Sequence, residues 1–231
     1  IHTKDVHLDH MYGDRYWVDV ARDEVLMPRE WFGEMFEYAR SKNLHVFSTV
    51  HSVNDAEFVM NFEPPVFKVA SIDVSYTEFI KGLAGFGKPI ILSTGMHHLG
   101  EIEAAVEAVH SAGNDQLSIL HCVSCYPPKP ETVNLRNMPM LEKAFGVPIG
   151  FSDHSPDNYM DFAAVAMGAC IIEKHVTLDR NMKGVDHPFS LDPDAMRDLV
   201  KGVRIAEKSL GTFHRNLSED ELYSRKLVRR S

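Results

Sequence analysis

The chain has 231 residues, 44% of them hydrophobic and 25% charged, a balance typical of one globular domain with a sizeable core. Its formal net charge of -9 excludes general binding to nucleic acids or anionic membranes, because their phosphates repel an acidic protein. No apolar run reaches the roughly 18 residues of a membrane helix, so we expect a cytoplasmic protein.

The start of the chain carries one predicted helix. Apolar side chains recur at helical spacing within residues 29–43, namely Trp31, Phe32, Met35, Phe36 and Ala39. The preceding stretch has no such spacing and is interpreted as a loop. Residues 1–43 are therefore expected to form an active-site loop and a helix that lead into the main domain.

Six short runs rich in β-branched residues follow and are predicted to be strands: 44–49, 66–71, 89–94, 117–122, 147–152 and 170–176. Amphipathic segments lie between them, and two have clear helical stripes, at 100–113 and 192–211. The strand starts are 22 to 30 residues apart, which is the length of one strand and one helix. This alternation predicts a parallel α/β sheet.

Two architectures fit such a sheet, a doubly wound fold and a (β/α)8 barrel of the TIM type. Glycine-rich phosphate loops are absent, and polar residues stand at nearly every strand end: Thr49, Ser71, Thr94, Ser124, His154 and Thr177. A barrel collects its chemistry at the carboxyl ends of its strands, so the pattern favours the barrel. Because only six strands are predicted, the barrel is expected to be incomplete, with its first two strands upstream of Ile1.

Two predicted strands deliver a histidine to this edge. Alternation along a strand places Ser152 and His154 on one face, and likewise Glu173 and His175, whereas Lys174 faces the other way and is expected to be structural. Two neutral imidazoles suit Mn²⁺, Zn²⁺ or Fe²⁺. A pair of hydrogen-bonded structural histidines remains the alternative.

A lysine and a series of hydroxyl groups add to this edge. Lys68 lies inside a predicted strand, where an ammonium group needs an anionic partner or a lowered pKa. It is a candidate for a Schiff-base lysine or for a clamp on phosphate and carboxylate groups, unless it turns outward between helices. Hydroxyl groups that can hold a phosphate, or merely cap helices, recur at successive strand ends: Ser71, Ser93, Thr94, Ser124 and Ser152.

The chain resembles the sialic acid synthase family through several long motifs. They are "GKPIILSTGM", "ILHCVSCYPPKPETVNLRNM", "GFSDHS" and "GACIIEKHVTLDRNMKGVDHPFSLDP", and the similarity runs from about residue 44 onward. The resemblance implies a (β/α)8 barrel that condenses phosphoenolpyruvate with an N-acylated sugar aldehyde, such as N-acetylmannosamine, and releases phosphate. It also implies a divalent metal, with Mn²⁺ expected and Mg²⁺ or Co²⁺ as alternatives, and a homodimer of the full-length protein.

The resemblance also implies roles for individual residues. His154 and His175 resemble the metal ligands and, with Lys68 and Asp73, the catalytic residues. Asp186 resembles a residue that holds the sugar hydroxyls, and Asp73 lies where both substrates approach. The residues that resemble the phosphoenolpyruvate pocket are Thr49, Lys68, Ser71, Ser93, Ser124, Tyr126 and Ser152. Ser71 differs from Lys68 in strand parity, so we expect it to act from a loop.

The resemblance divides the chain and also shows departures. Residues 44–211 correspond to βα units 3 to 8 of the barrel, and residues 212–231 correspond to a linker towards a C-terminal antifreeze-like domain that is expected to be absent here. The sequence "STVHS" replaces the family's usual "STPFS", and Ile72 stands where glycine is common. These changes are expected to affect the choice of acceptor.

Two other functions remain open at this point. One is a catalytically silent barrel that binds a ligand or a partner, and the other is an aldolase that forms a Schiff base on Lys68. Turnover together with metal binding separates the synthase from the silent barrel, and borohydride trapping separates it from the aldolase.

Overall fold

The computed structural model describes residues 27–230, so the predicted active-site loop at the start of the chain lies largely outside the described residues. The strands are β1 (Phe67–Val69), β2 (Ile90–Ser93), β3 (Leu117–Cys122), β4 (Ile149–Asp153) and β5 (Ile172–Lys174). The helices are α1 (Phe32–Ser41), α2 (Val53–Met60), α3 (Thr77–Ala84), α4 (Leu99–Ser111), α5 (Pro130–Val133), α6 (Asn137–Phe145), α7 (Tyr159–Ala166), α8 (Pro193–Leu210) and α9 (Glu219–Val228). One-turn 3-10 helices span Arg29–Trp31, Ser71–Asp73 and His187–Phe189.

Local sequence signals fix the ends of several helices. The Ser52 hydroxyl accepts a hydrogen bond from the backbone N–H of Asp55 at 3.1 Å and so caps the start of α2. Asp192 caps α8 in the same way, and Pro193 occupies the first helical position, where its missing N–H costs nothing. Gly113 follows α4 with a φ of +76°, a conformation that favours glycine.

The five strands form one parallel sheet in the order β1-β2-β3-β4-β5, as the alternation predicted. Adjacent strands of a sheet lie about 4.8 Å apart, so the first and last of five flat strands would be about 19 Å apart. Yet Lys68 Nζ on β1 lies 3.3 Å from Glu173 Oε2 on β5. The sheet must therefore curl, as part of a barrel wall does, and a flat doubly wound sheet is excluded.

The prediction of six strands was wrong by one within the described residues. Residues 44–49 form a single parallel bridge, between Thr49 and Lys68, and no longer ladder. Phe47 and Thr49 remain exposed. A segment at the edge of a sheet has a neighbouring strand on one side only. About half of its backbone N–H and C=O groups therefore form no hydrogen bond within the sheet, and the paired stretch can be short.

The convex face of the sheet carries the core. Phe67, Leu92, Ile119 and Phe151 project from β1 to β4 towards the surrounding helices, and each is at most 1% exposed. Strand pairing places Lys68, Ile91 and Ser118 in one row on the opposite face. Ser93, Ser152 and Glu173 follow on the same concave face, so the curled sheet gathers these polar side chains on the side away from the apolar core.

Helix α8 borders an open groove at one end of the curled sheet. Its predicted apolar stripe, which includes Met196, Leu199 and Val203, lines a cavity of about 750 Å³ together with Phe47 and Ile172. Helix α9 lies in the segment predicted as a linker, and all its residues are exposed. Within residues 27–230, every helix is too short or too polar to cross a membrane.

Candidate active site

A polar cluster crosses the concave face of the sheet. Lys68 Nζ donates to Ser93 Oγ at 2.7 Å and lies 3.3 Å from Glu173 Oε2, while Ser152 Oγ donates to Glu173 Oε1 at 2.7 Å. Lys68 is 6% exposed, so Glu173 is the anionic partner that a lysine inside a strand needs. A cation and two hydroxyl groups in a curved, shielded wall form a suitable site for an anion.

The two predicted histidines meet beside this cluster. The ring centroids of His154 and His175 are 5.3 Å apart, and the rings are inclined by 67°. His154 Nδ1 is 3.0 Å from the carbonyl oxygen of Val123. Burial lowers the pKa of His154, and the neighbouring His175 lowers it further, so the imidazole of His154 is neutral at neutral pH.

This arrangement fits a divalent metal ion. If Nδ1 of His154 donates to this backbone carbonyl, Nε2 would be available to a metal ion, as is usual for histidines that bind metals in proteins. One ion about 2.0 to 2.2 Å from one nitrogen of each ring is compatible with rings 5.3 Å apart. Residues 27–230 contain no cluster of three or more His, Cys, Asp and Glu side chains arranged as a metal site. A metal ion held by this pair would need further ligands from outside these described side chains, such as water or substrate.

Aromatic and acidic side chains surround the histidine pair. Tyr126 stacks on His154 with ring centroids 4.1 Å apart, and Phe189 packs edge-on against His175 at 5.2 Å. Burial raises the pKa of Tyr126 to about 12, so its hydroxyl stays protonated. Asp186 Oδ2 lies 3.8 Å from His175 Nδ1. Asp186 is therefore beside the histidine pair.

The turn after β1 brings two predicted hydroxyl groups together. Ser71 lies in the 3-10 helix Ser71–Asp73, beyond the strand, as its parity required. Its hydroxyl accepts a hydrogen bond from the backbone N–H of Gly95 at 2.9 Å. A Cβ atom at Gly95 would lie 2.3 Å from Ser124 Oγ, so only glycine permits this close approach of the two loops.

Asp73, in the same turn, is paired with a histidine that the residue predictions omitted. Asp73 Oδ2 is 2.7 Å from Nδ1 of His51, and the Asp73 side chain is only 9% exposed. Thr49 bridges to Lys68, which brings the segment before α2 to the strand end that carries the turn. The structure thus gathers the predicted residues along one edge and the adjoining concave face of the sheet.

Two members of this site were left out of the predicted set. The position of Glu173 could be predicted, because alternation along the strand places it on the same face as His175. Its contacts with Lys68 and Ser152 could not, because they form only when the sheet curls. His51 was visible only as a departure in "STVHS". Its pairing with Asp73 depends on a loop conformation that no periodicity encodes.

Behind the histidine-bearing strand ends lies a buried ionic cluster, made of Asp153, Asp161 and Lys174. Their side chains are at most 2% exposed. Lys174 Nζ donates to Asp153 and to the carbonyl oxygen of Asp157, and it lies 3.2 Å from Asp161 Oδ2. Neither oxygen of Asp161 has a hydrogen-bond partner in the described part of the chain. Burial, then the charge of Asp153, raises the pKa of Asp161 to about 7.

Lys174→Met is expected to destabilise the fold by about 3 to 5 kcal/mol, because it leaves the Asp153 carboxylate buried without a cation. Asp161→Asn should cost far less, since an amide resembles the protonated carboxyl group that the raised pKa favours. Denaturant unfolding of both variants and of the unchanged protein at about pH 6, below the raised pKa of Asp161, measures this difference. Equal losses of unfolding free energy in the two variants would contradict a charged Asp153 paired with Lys174 beside a protonated Asp161.

The pH dependence supplies a control for the same cluster. The unfolded carboxyl group ionises near its ordinary pKa of 3.8, whereas the folded one holds its proton up to about pH 7. Unfolding therefore releases a proton between these values, and the stability contributed by Asp161 falls as pH rises through this window. Asp161→Asn should lack this loss, so its stability relative to the unchanged protein should increase from pH 4 to pH 7.

A curled parallel α/β sheet that carries a polar cluster and a histidine pair at the carboxyl ends of its strands is typical of the active face of barrel-type enzymes. The model of the NeuB family matches residues 4–215. The chain therefore belongs to the NeuB family.

Known relatives agree with this assignment. The chain is 39% identical over 186 residues to the spore coat polysaccharide biosynthesis protein SpsE of Bacillus subtilis, covering 80% of this chain and 50% of that protein. It is 36% identical over 200 residues to N,N'-diacetyllegionaminic acid synthase of Campylobacter jejuni, covering 86% and 60%. The crystal structure of N-acetylneuraminic acid synthetase from Leptospira borgpetersenii superposes with a TM-score of 0.83 at 29% identity, covering 96% and 79%. The chain thus spans about half to three fifths of the length of these two curated relatives.

Proposed function

We propose that the complete protein is a nonulosonic acid synthase that condenses phosphoenolpyruvate with an N-acylated sugar aldehyde, such as N-acetylmannosamine, and releases phosphate. The observation that carries the proposal is the cluster of Lys68, Ser93, Ser152 and Glu173 beside the histidine pair, in a chain of the NeuB family. An anion site next to two imidazoles suits a reaction between an anionic donor and a carbonyl acceptor.

The donor is assigned to the concave face. Lys68 and the hydroxyl groups of Ser93 and Ser152 offer a charge and hydrogen bonds to its phosphate and carboxylate groups. In the absence of donor, Glu173 holds Lys68 and Ser152 in position. Because a carboxylate repels an anion, Glu173 must turn away or take up a proton when the donor binds.

The acceptor is assigned to the side of the histidine pair. His154 and His175 would hold the divalent ion, for which Mn²⁺ is our first choice, and the ion supplies Lewis-acid polarisation of the acceptor carbonyl. Asp186 accepts hydrogen bonds from sugar hydroxyl groups, and Tyr126 shields His154 from water. Assembly of the complete protein as a homodimer and its location in the cytoplasm stay predictions.

The proposed reaction balances without a redox partner. The enol carbon of phosphoenolpyruvate attacks the acceptor aldehyde carbon and forms a carbon–carbon bond. In this step the double bonds of the enol and of the aldehyde open, and the aldehyde oxygen takes up a proton to become a hydroxyl group. Water then adds to the cationic donor carbon and loses a proton, the carbon–oxygen bond to the phosphate breaks, and loss of the second proton leaves a ketone and inorganic phosphate. Lys68 stabilises the negative charge of the donor throughout, so the path needs no covalent bond to the enzyme.

Phosphate release by the complete protein tests this function. With phosphoenolpyruvate, N-acetylmannosamine and Mn²⁺, we expect phosphate to appear only when both substrates are present and to stop on chelation of the metal. Borohydride should have no effect. Binding without turnover would favour a silent barrel, and inactivation by borohydride that needs substrate and labels Lys68 would favour the Schiff-base aldolase.

A further inference from the structure

His51 lies at the strand-end edge of the candidate site. The backbone N–H of Val50 donates to the carbonyl oxygen of Lys68 at 3.3 Å, and Val50 is 1% exposed. Thr49 forms the bridge to the same lysine. Two anchored residues therefore precede His51, and the capped start of α2 follows it at Ser52. The backbone of His51 is therefore fixed beside Lys68, the lysine assigned to the donor.

The ring of His51 is held through one nitrogen. Nδ1 is 2.7 Å from Asp73 Oδ2, and the His51 side chain is 46% exposed while that of Asp73 is 9% exposed. Within residues 27–230, Nε2 of His51 has no hydrogen-bond partner. The hydrogen bond to Asp73 outweighs burial and raises the pKa of His51, with a further contribution from the charge of Asp55.

The turn that carries Asp73 borders the same site. Ser71, two residues earlier, accepts a hydrogen bond from the backbone N–H of Gly95, and Gly95 is packed against Ser124. His51 and Asp73 thus form a fixed polar pair at the rim of the site, in which one imidazole nitrogen is accessible. A pair of this kind offers a hydrogen-bonding atom at little entropic cost, because the ring is already positioned.

We propose that His51 is a specificity-determining residue for the acceptor, and that its Nε2 forms a hydrogen bond with an oxygen atom of the N-acylated sugar while Asp73 holds the ring. This inference rests on the proposed function. The donor is assigned to Lys68 and to the hydroxyl groups of Ser93 and Ser152 on the concave face, so the accessible Nε2 at the rim is left for the acceptor. A sugar with many hydroxyl groups offers oxygen atoms to such a nitrogen.

Three variants separate contact with the acceptor from support of Asp73. In His51→Asn the amide can occupy the place of Nδ1 and keep the bond to Asp73, but it cannot reach the place of Nε2. In His51→Gln the amide can reach the place of Nε2. His51→Phe keeps the ring and removes both nitrogens.

The expected result is a selective effect on the acceptor in the complete protein. His51→Asn and His51→Phe should raise the KM for N-acetylmannosamine about tenfold or more, as loss of one substrate hydrogen bond does. The KM for phosphoenolpyruvate should change less than about twofold, and His51→Gln should retain most of the acceptor affinity. If His51 only supports Asp73, Asn should behave like the unchanged protein and Gln like Phe, which would overturn the proposal.

Direct binding distinguishes failure of this inference from failure of the proposed function. If the unchanged protein releases no phosphate, the proposed function fails. Ligand-observed NMR then measures whether N-acetylmannosamine still binds and whether the His51 variants bind it more weakly. Weaker binding in the Asn and Phe variants but not in Gln would support the contact. Equal binding in all variants, or no binding to the unchanged protein, would overturn it. His110→Asn, a change of an imidazole on the outer helix α4, serves as the matched control.

Discussion

Lys68→Met in the complete protein is expected to lower kcat/KM for phosphoenolpyruvate about 10²- to 10³-fold, the range for removal of one preorganised charge. Methionine has a similar length but no charge, so Ser93 and Glu173 lose their cationic partner. Lys68→Arg keeps the charge in a different shape and should retain more activity than methionine. Steady-state phosphate release measures all three proteins.

Controls separate the charge of Lys68 from a general loss of structure. Lys81→Met changes an exposed lysine on α3 and should leave the kinetics unchanged. In Lys68→Met combined with Glu173→Gln, the carboxylate left without a partner is removed, so stability should recover while activity stays low. Equal and complete inactivity of Lys68→Arg and Lys68→Met, together with borohydride labelling of Lys68, would contradict the role of a charge clamp.

His154→Ala and His175→Ala are each expected to weaken Mn²⁺ binding at least about 100-fold. Loss of a residue that only supports a metal ligand already costs about 10- to 100-fold, and each of these variants removes a proposed ligand from a pair of rings 5.3 Å apart. Electron paramagnetic resonance of free Mn²⁺ gives the affinity without any assay of activity. Phosphate release should fall in parallel.

A matched histidine supplies the control for the metal site. His110 lies on the outer helix α4 and pairs with Asp115, so His110→Ala should bind Mn²⁺ as the unchanged protein does. Unchanged Mn²⁺ affinity in His154→Ala and His175→Ala would assign both histidines a purely structural role. That result would leave the anion cluster intact and remove only the metal from the account.

Periodicity predicted much of the fold because it encodes which face of an element is buried. The spacing of the βα units gave a parallel sheet in sequential order, and strand parity placed Lys174 outward and His175 inward. The run 44–49 was overestimated, because composition cannot tell an edge segment with one neighbour from a strand with two. The helix at 219–228 was not predicted, since its exposed residues carry no core stripe.

The site was harder to predict than the fold, because its contacts join distant parts of the chain. The Lys68–Glu173 pair requires the sheet to curl until β1 meets β5, and curling leaves no local pattern. The His51–Asp73 pair requires two loops to adopt specific conformations at the same edge. The sequence supplied residue types at strand ends, and the three-dimensional structure supplied their partners.

Carbon–carbon bond formation by the complete protein can be followed through the carbon atoms of the donor. The complete protein is incubated with ¹³C-labelled phosphoenolpyruvate, N-acetylmannosamine and Mn²⁺, and the products are analysed by mass spectrometry and NMR. We expect a lengthened keto sugar acid that carries the label, formed in equal amount with inorganic phosphate. Labelled pyruvate with no new carbon–carbon bond, or no consumption of the donor in the presence of acceptor and metal, would contradict it.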